Sequence, residues 1–197
     1  MLQEKILIGV PTTGFVKPLC FQSVYKIRIP DNVVADIEYF PGYGCAQARN
    51  KIACRCVDQD YSRVLFIDDD QLVPIDVLEK LLDCKSEIAA GYSMMCVGDM
   101  RTNISFYDKD RRFYDFITSD KLKTNIVMDV DAVGFSCILI KKHVFKVLQY
   151  PWFKYVEYPD RGTLSEDLYF CDMARKNNLR LVVDTSLKCL HTKMITI

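Results

Sequence analysis

The chain has no apolar run approaching the ~20 residues that cross a bilayer as a helix. Its first apolar run, residues 6–10, begins almost at once and is too short for the core of a secretory leader. Both absences predict a soluble protein without a transmembrane segment, placed in the cytoplasm. No sign of charge is in excess, because 26 Lys and Arg stand against 26 Asp and Glu, and the basic runs are no longer than Arg111-Arg112 and Lys141-Lys142. Without a field to attract a polyanion, nucleic acid is not an expected partner. Zinc-type pairing is also missing: Cys54-Arg55-Cys56 and Cys189-Leu190-His191 lack the spacing of about two to four residues typical of ligand pairs, and no second pair completes them. The nine cysteines are odd in number and scattered, several among apolar neighbours, which reads as free thiols in a reducing compartment. There is no internal repeat and no linker, so the 197 residues read as one domain.

What is present is an alternation of short apolar runs and amphipathic stretches. Residues 6–10 form a continuous apolar run closed by Pro11, the pattern of a strand covered on both faces, with a turn at Thr12, Thr13 and Gly14. Leu19, Val24 and Ile27 suit a short helix after Pro18, and residues 33–40 read as a second strand with Glu38 near its end. Beyond the turn cluster Pro41-Gly42-Tyr43-Gly44, Ala46, Ile52, Ala53, Cys56 and Val57 recur at near-helical spacing, which places Arg49 and Asn50 early in a helix. A strand over 63–67 follows, then apolar positions between Leu72 and Leu82 that give an amphipathic helix after Pro74, and a strand at 88–90. Such alternation predicts an α/β fold with right-handed crossovers. From 94 to 128 charged and aromatic residues replace the rhythm, predicting a loop-rich or hairpin insertion. Residues 130–140 predict two strand segments bent at Gly134, 142–148 a helix stopped by Pro151, and 152–162 a loop. Ser165 opens a helix that runs to Asn177-Asn178, and 181–183 form a last strand before a tail through His191.

Three constellations carry chemistry. The strand 63–67 runs into Asp68-Asp69-Asp70, three adjacent carboxylates whose repulsion calls for a cation or strong donors. If the chain stays extended there, Asp68 and Asp70 share a face and suit Mg²⁺ or Mn²⁺. A solvated loop or a helix start is the competing reading. The Walker-B alternative fails at Gly9-Val10-Pro11-Thr12-Thr13-Gly14, because Phe15 and Val16 stand where a P-loop needs Lys and Ser or Thr. Ser165-Glu166-Asp167 forms the second: it fits an N-cap with an acidic first turn, and beside a metal-bound phosphate an acid there could act as a general base. The third is His191, structural in most settings but able to complete a carboxylate site as a neutral imidazole.

Taken in order, these residues resemble a glycosyltransferase of GT-A type, family 2-like. The resemblance rests on Pro11-Thr12 after the first strand, Ala48-Arg49-Asn50, Asp68 to Asp70, Val133-Gly134-Phe135, Pro151-Trp152-Phe153, Glu166-Asp167, and Val183-Asp184 ahead of His191. It implies a single Rossmann-like domain with a mixed sheet flanked by helices, its nucleotide-binding half at about 1–92 and its acceptor half at about 93–197. By the same resemblance, Pro11, Thr12, Thr13 and Glu38 surround the nucleoside, Arg49 lies near the nucleotide, and Asp68 and Asp69 near ribose or diphosphate. Asp70 and His191, with Asp68, hold the metal; Asp167 is the base and Glu166 orients acceptor or base. Gly134, Phe135 and Trp152 would contact the acceptor, although a lone tryptophan packs on a core as readily as on a sugar.

The implied activity is metal-dependent, inverting transfer of a hexosyl group from a UDP- or GDP-sugar, with Mn²⁺ or Mg²⁺, to a glycan, lipid-linked or protein acceptor. The rivals are a metal-dependent nucleotidyltransferase and a non-catalytic nucleotide- or glycan-binding module. A homo-oligomer is left open.

Overall fold

A computed structural model describes residues 3–95, 100–160 and 162–192. The elements in chain order are β1 (Glu4–Thr12), α1 (Pro18–Tyr25), β2 (Val33–Pro41), α2 (Cys45–Asp58), β3 (Arg63–Ile67), β4 (Gln71–Leu72), α3 (Val77–Asp83) and β5 (Ile88–Met95). They continue with β6 (Arg101–Asp108), β7 (Phe113–Thr118), a 3-10 turn at Ser119–Lys121, β8 (Val127–Asp129), β9 (Ala132–Val133), β10 (Cys137–Lys141) and α4 (Val144–Val147). The last are β11 (Val156–Tyr158), β12 (Gly162–Leu164), α5 (Glu166–Lys176) and β13 (Leu181–His191).

One mixed sheet in the order β2-β1-β3-β10-β5-β13-β4 organises the domain. β1 is parallel to β2 and β3, β10 runs antiparallel between β3 and β5, and β13 is parallel to β5. The apolar runs are continuous because helices cover both faces. Leu7, Val64, Phe66, Ile88, Ala90, Ile138 and Ile140 pack with residues of α2, α4 and α5, while Ile6, Ile8, Leu65, Ile67, Ala89 and Leu139 pack with residues of α1 and α3. Successive strand residues thus serve opposite layers. Gly9 lets α2 cross close to β1: a Cβ there would stand 2.4 Å from Ile52 Cγ2.

The α/β architecture, the mixed sheet and the single domain agree with the expectation, as does the β6–β7 hairpin in the insertion. The helix expected after Pro74 is present as α3, starting at Val77, while Leu72 lies ahead of it in β4. Two elements differ. The stretch expected to loop contains the β11–β12 pair, turned back through Gly162 at φ +80°. β13 does not stop at Val183 but resumes its pairing with β5 after a register shift and ends on β4. Among the described residues, no helix is long and apolar enough to cross a membrane.

Candidate active site

Ile67 ends β3, and the three carboxylates lie in the turn beyond it. Asp68 N–H donates to Ser136 O at 3.3 Å, and Gln71 N–H closes the turn on Asp68 O at 3.1 Å. The extended geometry expected for Asp68 to Asp70 is therefore absent. What fixes the turn is the far end of the chain: β13 pairs with β4, His191 opposite Gln71, and Thr192 donates from both N–H and O–H to Asp70 O, each at 2.9 Å. Lys17 Nζ holds Thr192 O from the other side. This pairing brings His191 Nε2 into direct contact with Asp70 Oδ2.

Arg49 is the centre of charge. α2 carries it into the interior, where it is 3% exposed, with its guanidinium carbon 5.0 Å from the centroid of the Phe135 ring. It donates to Asp68 Oδ1 at 2.8 Å and to Glu166 Oε1. Burial works against the guanidinium charge, but Asp68, Cys45, Glu166 and Asp167 raise its pKa above the usual value. Glu166 shows the complementary effect: burial opposes its charge, yet Arg49 and hydrogen bonds from Cys45 and Tyr155 hold its carboxyl below the ordinary range. Asp68 goes the other way, pushed up by burial and by Asp70 and Asp167 despite Arg49.

Asp167 stands on the first turn of α5. Its Oδ1 accepts from Ser165 O–H and from Leu168 N–H at 2.8 Å, so Ser165 occupies the N-cap position but spends its hydroxyl on Asp167 rather than on the helix backbone. Oδ2 faces Gly134: a Cβ on that glycine would stand 3.5 Å from it and 3.2 Å from Asn103.

Two adjoining cavities collect these groups. One, about 210 Å³, is lined by Pro11, Thr12, Thr13, Tyr43, Cys45, Asp68, Asp69 and Asp70. The other, about 410 Å³, is lined by Asp68, Asp70, Gln71, Asn103, Gly134, Phe135, Ser136, Asp167 and His191, with Ser93, Met94 and Met95. Asp68 and Asp70 belong to both, so the carboxylate turn is the wall between a chamber at the end of β1 and a chamber at the start of α5.

Four sequence-derived positions line neither cavity: Arg49 and Glu166, which pair with each other, and Glu38 and Trp152. Glu38 lines neither cavity and is held by Arg55 at 2.9–3.1 Å. Trp152 is 7% exposed, with its indole N–H shared by Phe145 O at 2.9 Å and Leu148 O at 3.1 Å, so it is core and not an acceptor platform. Phe135 reaches the second cavity only as a floor, packed against Phe66, Phe153 and Phe170. Two residues given no role from sequence are structural to the site. Asn50 latches the Trp152-Phe153 backbone to α2 through both its amide atoms. Asn103 ties Ser93 N, Gly134 O and Ser136 Oγ together. The Ala48-Arg49-Asn50 run is the one sequence signal for the first; nothing in sequence marks the second.

The donor set bears on a metal. Asp70 and His191 offer one carboxylate oxygen and one imidazole nitrogen in contact, Asp68 is committed through Oδ1 to Arg49, and no cluster of three or more His, Cys, Asp or Glu donors occurs among the described residues. A closed structural site does not fit. A divalent cation held by two protein donors and completed by phosphate oxygens and water does.

No family model and no curated protein matches the sequence. Solved structures do match the fold. The chain is similar to A197 from STIV, with TM-score 0.62 and 19% identity over 97% of this chain and 86% of that one. It is also similar to GalNAc-T7 crystallised with UDP, GalNAc and Mn²⁺, with TM-score 0.63 and 11% identity over 96% of this chain. A third is residues 1–349 of S. aureus TarS in complex with UDP-GlcNAc, with TM-score 0.55 and 12% identity over 97% of this chain. The chain spans 44% of the GalNAc-T7 chain and 60% of the TarS chain. At these identities the likeness is one of architecture, and the architecture is that of the GT-A-type glycosyltransferase fold.

Proposed function

We propose that this protein is a metal-dependent glycosyltransferase that moves a sugar from a nucleoside-diphosphate sugar to an acceptor hydroxyl with inversion. The observation that carries the reading is the convergence of Asp68, Asp70, Asp167 and His191, drawn from the turn after β3, from α5 and from the end of β13, on one cavity that adjoins the Pro11-Thr12-Thr13 chamber. The structures with UDP, GalNAc and Mn²⁺ and with UDP-GlcNAc support it by sharing the fold.

In this reading Pro11, Thr12, Thr13 and Asp69 would receive the nucleoside, and Asp70 and His191 would hold Mn²⁺ or Mg²⁺. When bound, such a cation stabilises the charge that grows on a diphosphate leaving group. Arg49 would hold Asp68 fixed at the wall. Glu166 would hold Arg49 in place, so its part is positioning. Asp167 would take the acceptor proton on Oδ2, because Oδ1 is already occupied by two donors. The residues preceding α5 would then present the acceptor, with Gly134 leaving room for it.

The test is incubation with UDP- and GDP-sugars and Mn²⁺, following release of nucleoside diphosphate. Wild-type release that Asp70→Ala abolishes, with the thermal transition preserved, is the expected result. Release undiminished in Asp70→Ala would sink the metal assignment, and release of sugar 1-phosphate in place of nucleoside diphosphate would mark nucleotidyl transfer instead.

A further inference from the structure

α1 is apolar on both sides. Of its eight residues only Gln22 and Ser23 are polar. Cys20 and Val24 are buried and take up the inner side, where Val24 packs with Ile6, Ile8 and Val10 of β1. At about 100° per residue, Phe21, Tyr25, Pro18 and Leu19 fall on the outer side and span about 160° of it, interrupted by Gln22 alone. These side chains meet solvent, Leu19 being 59%, Phe21 47% and Tyr25 75% exposed, and the turn leading into the helix adds Phe15 at 89%. The rings are joined as well: Phe21 stacks on Tyr25 at 6.1 Å and on Tyr39 of the edge strand β2 at 5.9 Å. Exposed apolar side chains scattered singly are ordinary, but a helix whose outer side is apolar calls for a cover.

Charge indicates which cover fits. Residues 13–30 hold Lys17, Lys26 and Arg28 and no acid. Lys17 meets a neutral carbonyl, Thr192 O, which leaves its charge uncompensated, and Arg28 reaches Glu79 at 3.7 Å with both side chains exposed. Asp69 and Asp70, the carboxylates near the start of α1, belong to the wall of the 210 Å³ cavity. The helix and its flanks therefore join an apolar surface to an excess of cation. A second copy docked about a two-fold axis would set that cationic surface against itself. A bilayer with anionic headgroups matches both properties, because aromatic and aliphatic side chains enter the interface while lysine and arginine heads stay with the lipid phosphates. The contact would be peripheral, since no helix among the described residues can cross a membrane.

We propose that the turn between β1 and α1 and the outer side of α1 dock on an anionic lipid bilayer, with Phe15, Leu19, Phe21 and Tyr25 entering the headgroup region and Lys17, Lys26 and Arg28 facing lipid phosphates. This goes beyond the transferase reading and does not depend on it. Where both hold, Thr13, which lines the 210 Å³ cavity, stands two residues from the inserted Phe15, so the donor chamber is kept close to the membrane surface.

The experiment is flotation of the full chain with vesicles of phosphatidylcholine alone and of phosphatidylcholine mixed with phosphatidylglycerol, each at low and at physiological salt. Wild type should float with the mixed vesicles, less so as salt rises, and only weakly with the neutral ones. The double variant Phe15→Ser, Tyr25→Ser should lower partitioning by about 10- to 100-fold, the scale of withdrawing two rings from the interface. Lys26→Glu should lower it about 10-fold on the mixed vesicles and leave the neutral ones unchanged. Both variants should melt with wild type, because the side chains replaced are exposed on the folded chain. Wild type that stays with the soluble fraction, or a double variant that floats like wild type, would overturn the docking surface. A double variant that melts lower would overturn it too, by showing that the chain itself covers those rings. Sedimentation velocity completes the test: a wild-type dimer that the double variant dissociates would give the surface to a second copy instead. None of these readouts uses sugar transfer, so failure here leaves the transferase reading standing, and failure of that reading leaves the docking surface standing.

Discussion

α5 has a carboxylate–arginine cluster toward each end, and the two are built in opposite ways. Near its N-terminus one guanidinium, Arg49, serves both Asp68 and Glu166, with Asp70 and Asp167 close enough to raise the pKa of Asp68. Further along, one carboxylate, Asp172, is shared by Arg175 at 2.8 Å, Lys176 at 2.6 Å and the Tyr114 hydroxyl at 3.0 Å. Burial pushes both aspartates toward the protonated form. It prevails at Asp68, whereas Lys176, Arg175 and Tyr114 overcome it at Asp172 and hold that carboxyl below its ordinary range. The second cluster is a finished joint between α5 and the β6–β7 hairpin. The first has more carboxylate than cation, and that unmet charge is what a bound cation and a hydroxylic substrate would satisfy.

Substitutions at the two ends test that contrast. The largest expected effect is on chemistry: Asp167→Asn should lower kcat by about 10²- to 10⁴-fold, the usual contribution of a general base. Nucleotide binding by titration should survive, and a variant within a few-fold of wild type would remove Asp167 from the base role. Next is Arg49→Leu, which leaves Asp68 and Glu166 buried without their cation. It should destabilise the fold by about 3–5 kcal/mol in denaturant titration, the cost of breaking a buried pair from one side. Asp172→Asn should cost about 1.5–3 kcal/mol in the same titration, the range for hydrogen bonds to a charged group, and leave donor turnover unchanged. Loss of turnover there would erase the distinction between joint and site.

The smallest effect is in pH dependence. Glu166 has a native pKa below its ordinary value, so the folded chain binds fewer protons than the unfolded one in that window. Its contribution to stability is present above the ordinary carboxylate range and is lost as pH falls through the native value. Melting temperature against pH should therefore have a shallower acid limb in Glu166→Gln than in wild type. An unchanged limb would assign acid sensitivity to the other carboxylates held below their ordinary range, Asp36, Asp120, Asp129 and Asp172.

Much of the scaffold is legible in the sequence because its signals are local. The runs that became β1, β3, β5 and β10 are apolar along their length since both faces are covered, and α2 and α5 show helical spacing with recognisable starts. The site is legible in its residue types, Asp68 to Asp70, Glu166-Asp167 and His191, but not in its pairings. Arg49 looks like one of several polar residues on α2, alongside Gln47 and Lys51, and its burial follows from a partner 117 positions away. Trp152 carries no sign of whether its ring faces a sugar or Phe145, and the structure gives it to Phe145.

The sequence by itself determined the stretches that became β1, β3, β5, β10, α2 and α5, and that three carboxylates follow the third strand, because periodicity and adjacent like charges act within a few residues. Only the tertiary structure decided how those charges divide. The end of β13, after shifting register against β5 and pairing with β4, sets His191 on Asp70, while α2 and α5 give Arg49 to Asp68 and Glu166. The physical reason is that a buried charge or amide is satisfied by whatever the fold brings within about 3 Å of it, and these partners are far apart along the chain.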